Sequence, residues 1–183
     1  MTLYAHQQKI IDADPKKCGL FLGTGSGKTT IALLLARGKT LVIAPKTQKE
    51  DQNWEREAKR LNLAIDLTVV SKEEFRKDLK TLRKFNTVIA DEAHVVFGVT
   101  PSTRWRNRIQ IPHASQLFEG LRDYLRNFPP QRLYLVTATP AKSPMAIWAA
   151  ATLLGRSWDF YKFRETFYVR LNIPQVRGHL NPF

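Results

Sequence analysis

Apolar residues fall along this chain in short runs separated by longer amphipathic stretches. Gly19-Leu20-Phe21-Leu22, Thr40-Leu41-Val42-Ile43-Ala44, residues 66–70, Thr87-Val88-Ile89-Ala90 and Leu133-Tyr134-Leu135-Val136 have the length and character of strands buried on both faces. Residues 29–37 form an apolar helix pattern stopped by Gly38, and 48–61 and 72–85 are charged amphipathic helices. Strands apolar on both faces and alternating with helices predict a doubly wound α/β domain, with a mostly parallel sheet covered by helices on both faces. Residues 98–113, broken by Pro101 and Pro112, read as a long irregular loop. A helix over 115–127 follows, closed by Pro129-Pro130, and residues 144–154 are helical. An aromatic stretch over 158–169 is expected to pack against the domain, with no clear period beyond residue 171.

Composition adds a partner. The chain has 183 residues, 43% of them hydrophobic and 25% charged, which suits one globular domain. Its 29 Lys and Arg against 16 Asp and Glu give a net charge of +13, the balance of a protein that meets a polyanion. Residues 99–183 are the more one-sided part, with 12 basic and 4 acidic side chains. Cys18 is the only cysteine, so an internal disulfide and a Cys-rich zinc site are excluded, and a reducing compartment fits. No apolar stretch approaches the roughly 20 residues of a membrane span, and no signal pattern opens the chain, so an intracellular, cytoplasmic location is expected.

Two segments carry chemistry. Gly23-Thr24-Gly25-Ser26-Gly27-Lys28-Thr29 lies between a strand and a helix, the context of a phosphate-binding loop, although Leu22 stands where the strict pattern has glycine. There the glycines turn backbone N–H groups inward, Lys28 reaches the β- and γ-phosphates, and the Thr29 hydroxyl can ligate Mg²⁺. Asp91-Glu92-Ala93-His94 ends the apolar strand over 87–90, placing two carboxylates at the C-terminal edge of the sheet beside that loop. Asp91 could hold Mg²⁺ while Glu92 orients and deprotonates an attacking water.

In order, these segments resemble the first RecA-like domain of superfamily 2 helicases and translocases. Leu3-Tyr4-Ala5-His6-Gln7 resembles the glutamine motif that reads adenine, Thr24 to Thr29 resembles motif I, Asp91 to His94 motif II, and Thr137-Ala138-Thr139-Pro140 motif III. Ala44-Pro45-Lys46 followed by Asn53-Trp54-Glu55-Arg56-Glu57 is similar to a stretch of Swi/Snf-type DNA translocases and phage helicases; Trp54 reads as a packing residue. The resemblance implies ATP and Mg²⁺ as cofactors. Gln7, Thr24, Gly25, Ser26, Gly27, Lys28, Thr29 and Thr30 would bind nucleotide, Thr29 and Asp91 the metal, and Lys28, Asp91 and Glu92 would carry the reaction. His94, Thr137 and Thr139 would couple the site to the rest of the domain.

Members of that superfamily close ATP between two RecA-like domains, the second supplying arginines. Residues 1–155 would be the first of these and 156–183 an aromatic extension toward the second. The chain alone would then bind nucleotide and hydrolyse it poorly, as an N-terminal fragment of a motor or with a second chain. The nucleic-acid candidates are Arg104-Trp105-Arg106-Asn107-Arg108, where Arg104, Arg106 and Arg108 could meet phosphates and Trp105 a base, and Lys46 and Thr47 with Lys72 as a weaker analogue. DNA is the expected partner. The alternatives are a DEAH-type RNA helicase domain and a nucleic-acid-binding module with a vestigial nucleotide site.

Overall fold

In the computed structural model, residues 3–78, 82, 84–106, 109–156 and 158–168 are described, with backbone alone over 104–106 and 109–110. Five parallel strands form the sheet: β1 (Lys17–Phe21), β2 (Thr40–Ala44), β3 (Leu67–Ser71), β4 (Thr87–Asp91) and β7 (Arg132–Thr137), in the order β1-β7-β4-β2-β3. The three inner strands are the ones with an unbroken β-branched or apolar run, and every residue of β2, β4 and β7 is buried. The edge strands β1 and β3 are only partly covered, so their sequences tolerate Lys17 and Thr68.

The period of two in these strands sorts their side chains into two cores. Leu41 and Ile43 of β2, Val88 and Ala90 of β4, and Leu133 and Leu135 of β7 point to one face. They meet α5 (Lys72–Asp78), α6 (Gln116–Asn127), α7 (Pro144–Leu153) and α8 (Phe160–Phe167) through Phe75, Phe118, Leu121, Met145 and Phe163. Val42, Ala44, Ile89, Tyr134 and Val136 point to the other face, against Ile31, Leu33 and Leu35 of α2 (Lys28–Leu35) and Trp54 and Ala58 of α4 (Asn53–Arg60). Each such side chain contributes about 1.5–3 kcal/mol by leaving water. Helices cover both faces, as the alternation of strands and helices predicts.

The helices start where their caps stand. Ser115 accepts from the Phe118 N–H at 3.2 Å, Ser143 from the Ala146 N–H at 3.3 Å with Pro144 in the first turn, and Asp159 from the Lys162 N–H at 2.7 Å. The aromatic stretch packs in part: Phe160 and Phe163 are buried and Tyr161 and Tyr168 lean on the same core, whereas Trp158 and Phe167 are exposed, and the Trp148 indole N–H donates to the Trp158 carbonyl at 2.9 Å.

Three expectations change. The single helix over 48–61 is two, α3 (Lys46–Glu50) and α4, because Gln52 takes a left-handed φ of 53° between them. The helix from Lys72 is described as far as Asp78, and Leu82, Lys84 and Phe85 are not helical. The stretch over 98–113 is a two-stranded antiparallel ribbon, β5 (Val99–Arg106) and β6 (Ile109–Ala114). Prolines fit there because each strand of a ribbon has one unpaired edge, and Pro101 falls where the register shifts between Val99 and Thr103.

Candidate nucleotide site

All five strands of the main sheet run in parallel, so their C-terminal ends gather at one edge. Phe21 pairs with Thr137 and Asp91 with Val136, which brings the loop after β1, the acidic pair after β4 and the hydroxyl ending β7 together. The sequence scatters these groups over more than a hundred residues; strand order collects them.

The loop over 23–29 turns through two left-handed glycines, Gly25 at φ 76° and Gly27 at φ 77°, the second serving as the N-cap of α2. Lys28 Nζ donates to the Gly23 carbonyl at 2.8 Å, and the Ser26 hydroxyl donates to the same oxygen at 2.8 Å. The loop is thereby closed into a tight ring with the first N–H groups of α2 at its base. Thr29 is half-buried beside it, while Thr30 is buried and its hydroxyl donates to Glu57, which Arg60 also holds. The Arg60 guanidinium, ahead of the Thr30 hydroxyl, keeps the Glu57 carboxyl below its ordinary range.

Helix α1 (Ala5–Asp12) leans on this loop. Gln7 is buried; its Oε1 accepts from the Tyr4 N–H at 3.0 Å and its Nε2 donates to the Ser26 carbonyl at 3.0 Å. His6 Nε2 lies 3.2 Å from the same carbonyl. A Cβ at Gly27 would come within 2.3 Å of Gln7 Nε2, so any other residue there would displace the Gln7 amide in addition to straining the backbone.

Asp91 is 6% exposed at the end of β4. Its Oδ1 accepts from the Glu92 N–H at 2.9 Å, and its Oδ2 is buried with no partner in hydrogen-bonding geometry. Burial pushes the Asp91 carboxyl up from its ordinary value; the Glu92 N–H, the Trp54 indole N–H and the Lys72 ammonium pull the other way. The Trp54 Nε1 is likewise buried without a partner in that geometry, so two orphaned groups, one donor and one acceptor, face each other. Trp54 is therefore part of the site as well as of the core, a relation that sequence spacing cannot reveal. Glu92 occupies the left-handed region at φ 46° and ψ 50°. His94 Nδ1 lies 3.0 Å from Thr137 Oγ1 and 3.1 Å from Glu92 Oε2, and the Thr139 N–H donates to Thr137 Oγ1 at 3.2 Å. One chain of contacts thus runs from Glu92 through His94 to Thr137 and Thr139.

The other candidates lie elsewhere. Lys46 and Thr47 are exposed at the start of α3 beyond β2, with Lys46 paired to Glu50 at 3.6 Å. Lys72 is not exposed: it is buried, with Nζ 3.4 Å from the Glu92 carbonyl oxygen. The ribbon places Arg104 and Arg106 near the tip of β5, while the side chains of Arg104, Trp105 and Arg106, and Arg108 altogether, lie outside the described residues.

The fold has a solved counterpart. The crystal structure of the Pyrococcus furiosus Hef helicase domain matches with a TM-score of 0.61 over 82% of this chain at 21% sequence identity. That likeness is one of fold, a parallel α/β sheet covered by helices on both faces. The chain spans 35% of the length of the Hef chain. No family model and no curated protein matches the chain.

Among the described residues no cluster of three or more His, Cys, Asp or Glu side chains forms a metal cage, and no helix is long and apolar enough to cross a membrane. One carboxylate and one hydroxyl nonetheless suit Mg²⁺, which takes few protein ligands and completes its octahedron with water and phosphate oxygens. The partnerless Oδ2 of Asp91 has the free lone pairs such an ion would take. A cavity of about 470 Å³ on α8, walled by Trp158, Lys162, Phe163 and Phe167, shares no residue with the nucleotide site.

Proposed function

We propose that this chain is the ATP-binding motor domain of a nucleic-acid-dependent ATPase, a helicase or translocase acting on DNA. The observation that carries the reading is the convergence at one sheet edge of the Gly23–Thr29 loop, the Asp91–Glu92 pair and Thr137, joined through His94. Gln7 sits against Ser26, where it would read the base of a nucleotide whose phosphates lie in the loop. Thr24, Gly25, Ser26, Gly27 and the first amides of α2 would cradle the phosphates, with the Thr30 amide among them. Lys28 would exchange the Gly23 carbonyl for β- and γ-oxygens. Thr29 and Asp91 would hold Mg²⁺, which when bound neutralises developing charge on the phosphoryl group. Glu92, held beside His94, would accept the proton of the attacking water, and His94, Thr137 and Thr139 would carry the occupancy of the site to the neighbouring segments.

A second RecA-like domain, in the same chain or another, would supply an arginine worth about 10³–10⁵ in rate, so this chain by itself should hydrolyse ATP slowly. Lys46 and Thr47 on α3 and the ribbon tip with Arg104, Trp105, Arg106 and Arg108 would grip the DNA backbone. The similarity of Asn53 to Glu57 to the corresponding stretch of Swi/Snf-type and phage enzymes supports DNA over RNA. ATP titration with Mg²⁺ tests the reading. Wild type binds, Lys28→Ala loses most of the affinity, and Glu92→Gln keeps binding while losing the residual hydrolysis. Unchanged affinity in Lys28→Ala would refute it. Duplex DNA should outcompete RNA of equal length; the reverse would point to an RNA helicase.

A further inference from the structure

Lys72 begins α5 directly beyond β3, at the edge that holds the nucleotide site. Its side chain is 8% exposed, whereas that of Lys46, at the end of the neighbouring β2, is 72% exposed. A buried ammonium costs several kcal/mol unless opposite charge and hydrogen bonds compensate. Burial lowers the Lys72 pKa, and the charges that oppose this come from Asp91, Glu92 and Glu73. Two of those three are the acidic pair of the site. Its Nζ also lies 3.4 Å from the carbonyl oxygen of Glu92, the same oxygen that accepts from the Val95 N–H at 3.1 Å.

That carbonyl belongs to a residue under strain. Glu92 is a non-glycine residue at φ 46°, a conformation that costs about 1–2 kcal/mol and persists only where its surroundings enforce it. The enforcement is visible: Asp91 Oδ1 takes the Glu92 N–H, while the turn that follows and Lys72 take its carbonyl. The Glu92 carboxylate is thereby aimed at His94.

We infer that Lys72 is a positioning residue of the nucleotide site, clamping the Glu92 backbone and acting as the built-in countercharge of the Asp91–Glu92 pair. It therefore limits how strongly that pair attracts a divalent cation. The inference rests on the reading of Asp91 as a cation ligand. It differs from a phosphate-gripping role for Lys72, because a buried ammonium turned onto the Glu92 carbonyl is withheld from a nucleic-acid backbone.

The sign of the effect separates this from a structural role. Removing the positive charge makes the pair more attractive to a cation, whereas damage to the fold would weaken binding. The experiment titrates Mn²⁺, followed by electron paramagnetic resonance, into the full chain with saturating ADP. Wild type is compared with Lys72→Met, Lys72→Gln and Asp91→Asn, and circular dichroism establishes that each is folded. Gln keeps a donor for the Glu92 carbonyl, so it remains informative if Met fails to fold. Both Lys72 variants should bind Mn²⁺ about three- to tenfold more tightly, the range for losing one nearby unit charge in a partly solvated site. DNA affinity and its salt dependence should stay at the wild-type values. Unchanged or weaker Mn²⁺ binding in a folded Lys72 variant overturns the inference, as does a salt slope reduced by about one phosphate contact. Asp91→Asn must lose Mn²⁺ affinity in the same assay; if it does not, the cation reading itself falls and the inference with it. If Asp91→Asn behaves and the Lys72 variants do not, only the inference fails.

Discussion

Trp54 shows how a single side chain can belong to core and site together. It is fully buried between α2 and the sheet, which suits an indole ring, yet its one polar atom has no partner in hydrogen-bonding geometry and lies close enough to Asp91 to draw that carboxyl down. A buried N–H left unpaired costs about 1–3 kcal/mol, as does a buried carboxylate oxygen, so each group lowers the cost of the other. Trp54→Phe keeps most of the apolar area, removes the donor and leaves a small cavity. The melting temperature should fall by an amount corresponding to about 1–3 kcal/mol. Nucleotide affinity without Mg²⁺ should stay level while the Mg²⁺ needed for half-maximal binding rises, which paired titrations with and without the metal would read. Equal Mg²⁺ dependence in the two proteins would confine Trp54 to packing. Lys72 teaches the same lesson from the opposite direction. A lysine among charged residues reads as solvated surface, and only tertiary structure turns it inward.

At the scale of elements, the inner strands are legible because each is a run of about four apolar residues, too short for a helix and bounded by polar or turn residues. The tight turn between β1 and α2 is legible because glycine spacing, a preceding strand and a following helix coincide. The break between α3 and α4 is not, since neither proline nor glycine marks it: Asp51-Gln52 looks like helix interior, and Gln52 leaves the helix only because the turn swings Trp54 and Ala58 onto the sheet. The ribbon is missed for the converse reason. Pro101 and Pro112 look like breakers, and what overrides them is the tertiary seat of Val99 and Ala114 in the core. Gln52 offers a direct check, because a side chain at φ 53° carries strain that glycine lacks. Gln52→Gly should raise stability by about 0.5–1 kcal/mol in thermal or urea unfolding, less whatever the unfolded chain gains in freedom, whereas the same change at Glu55 inside α4 should lower it by about the same amount. Destabilisation at both positions would mean that Gln52 is held there by favourable contacts of its side chain.

At the scale of the whole molecule, the proposed nucleotide edge depends on a fastening at the opposite end of the sheet. Gln7 rides on α1, and α1 is tied down by Asp14, which lies between α1 and β1 and binds Arg132 at the start of β7. The guanidinium donates to the two carboxylate oxygens at 2.6 and 3.0 Å and to the Tyr134 hydroxyl at 3.1 Å, while that hydroxyl donates to the Pro15 carbonyl at 2.9 Å. The pair closes a loop of 118 residues, so it fixes the N-terminal helix against the last strand of the sheet. Arg132 is buried and Asp14 is partly exposed, so removing the carboxylate would leave a buried cation short of a partner. The Arg132 guanidinium, and after it the Lys16 ammonium, hold the Asp14 carboxyl well below the usual carboxylate range. A group whose pKa is depressed by folding adds stability above its unfolded value and loses it as the pH falls through the folded one. Asp14→Asn should therefore melt below wild type by a constant margin from about pH 8 to about pH 5, and the margin should close progressively below about pH 4, where the unfolded wild-type chain protonates this carboxyl while the folded one still holds it ionised. Because α1 carries Gln7, the variant should also lose nucleotide affinity at neutral pH, although no atom of Asp14 is in hydrogen-bond contact with the loop. A melting margin that stayed unchanged down to about pH 2 would show that geometry, and not charge, is what Arg132 requires of its partner.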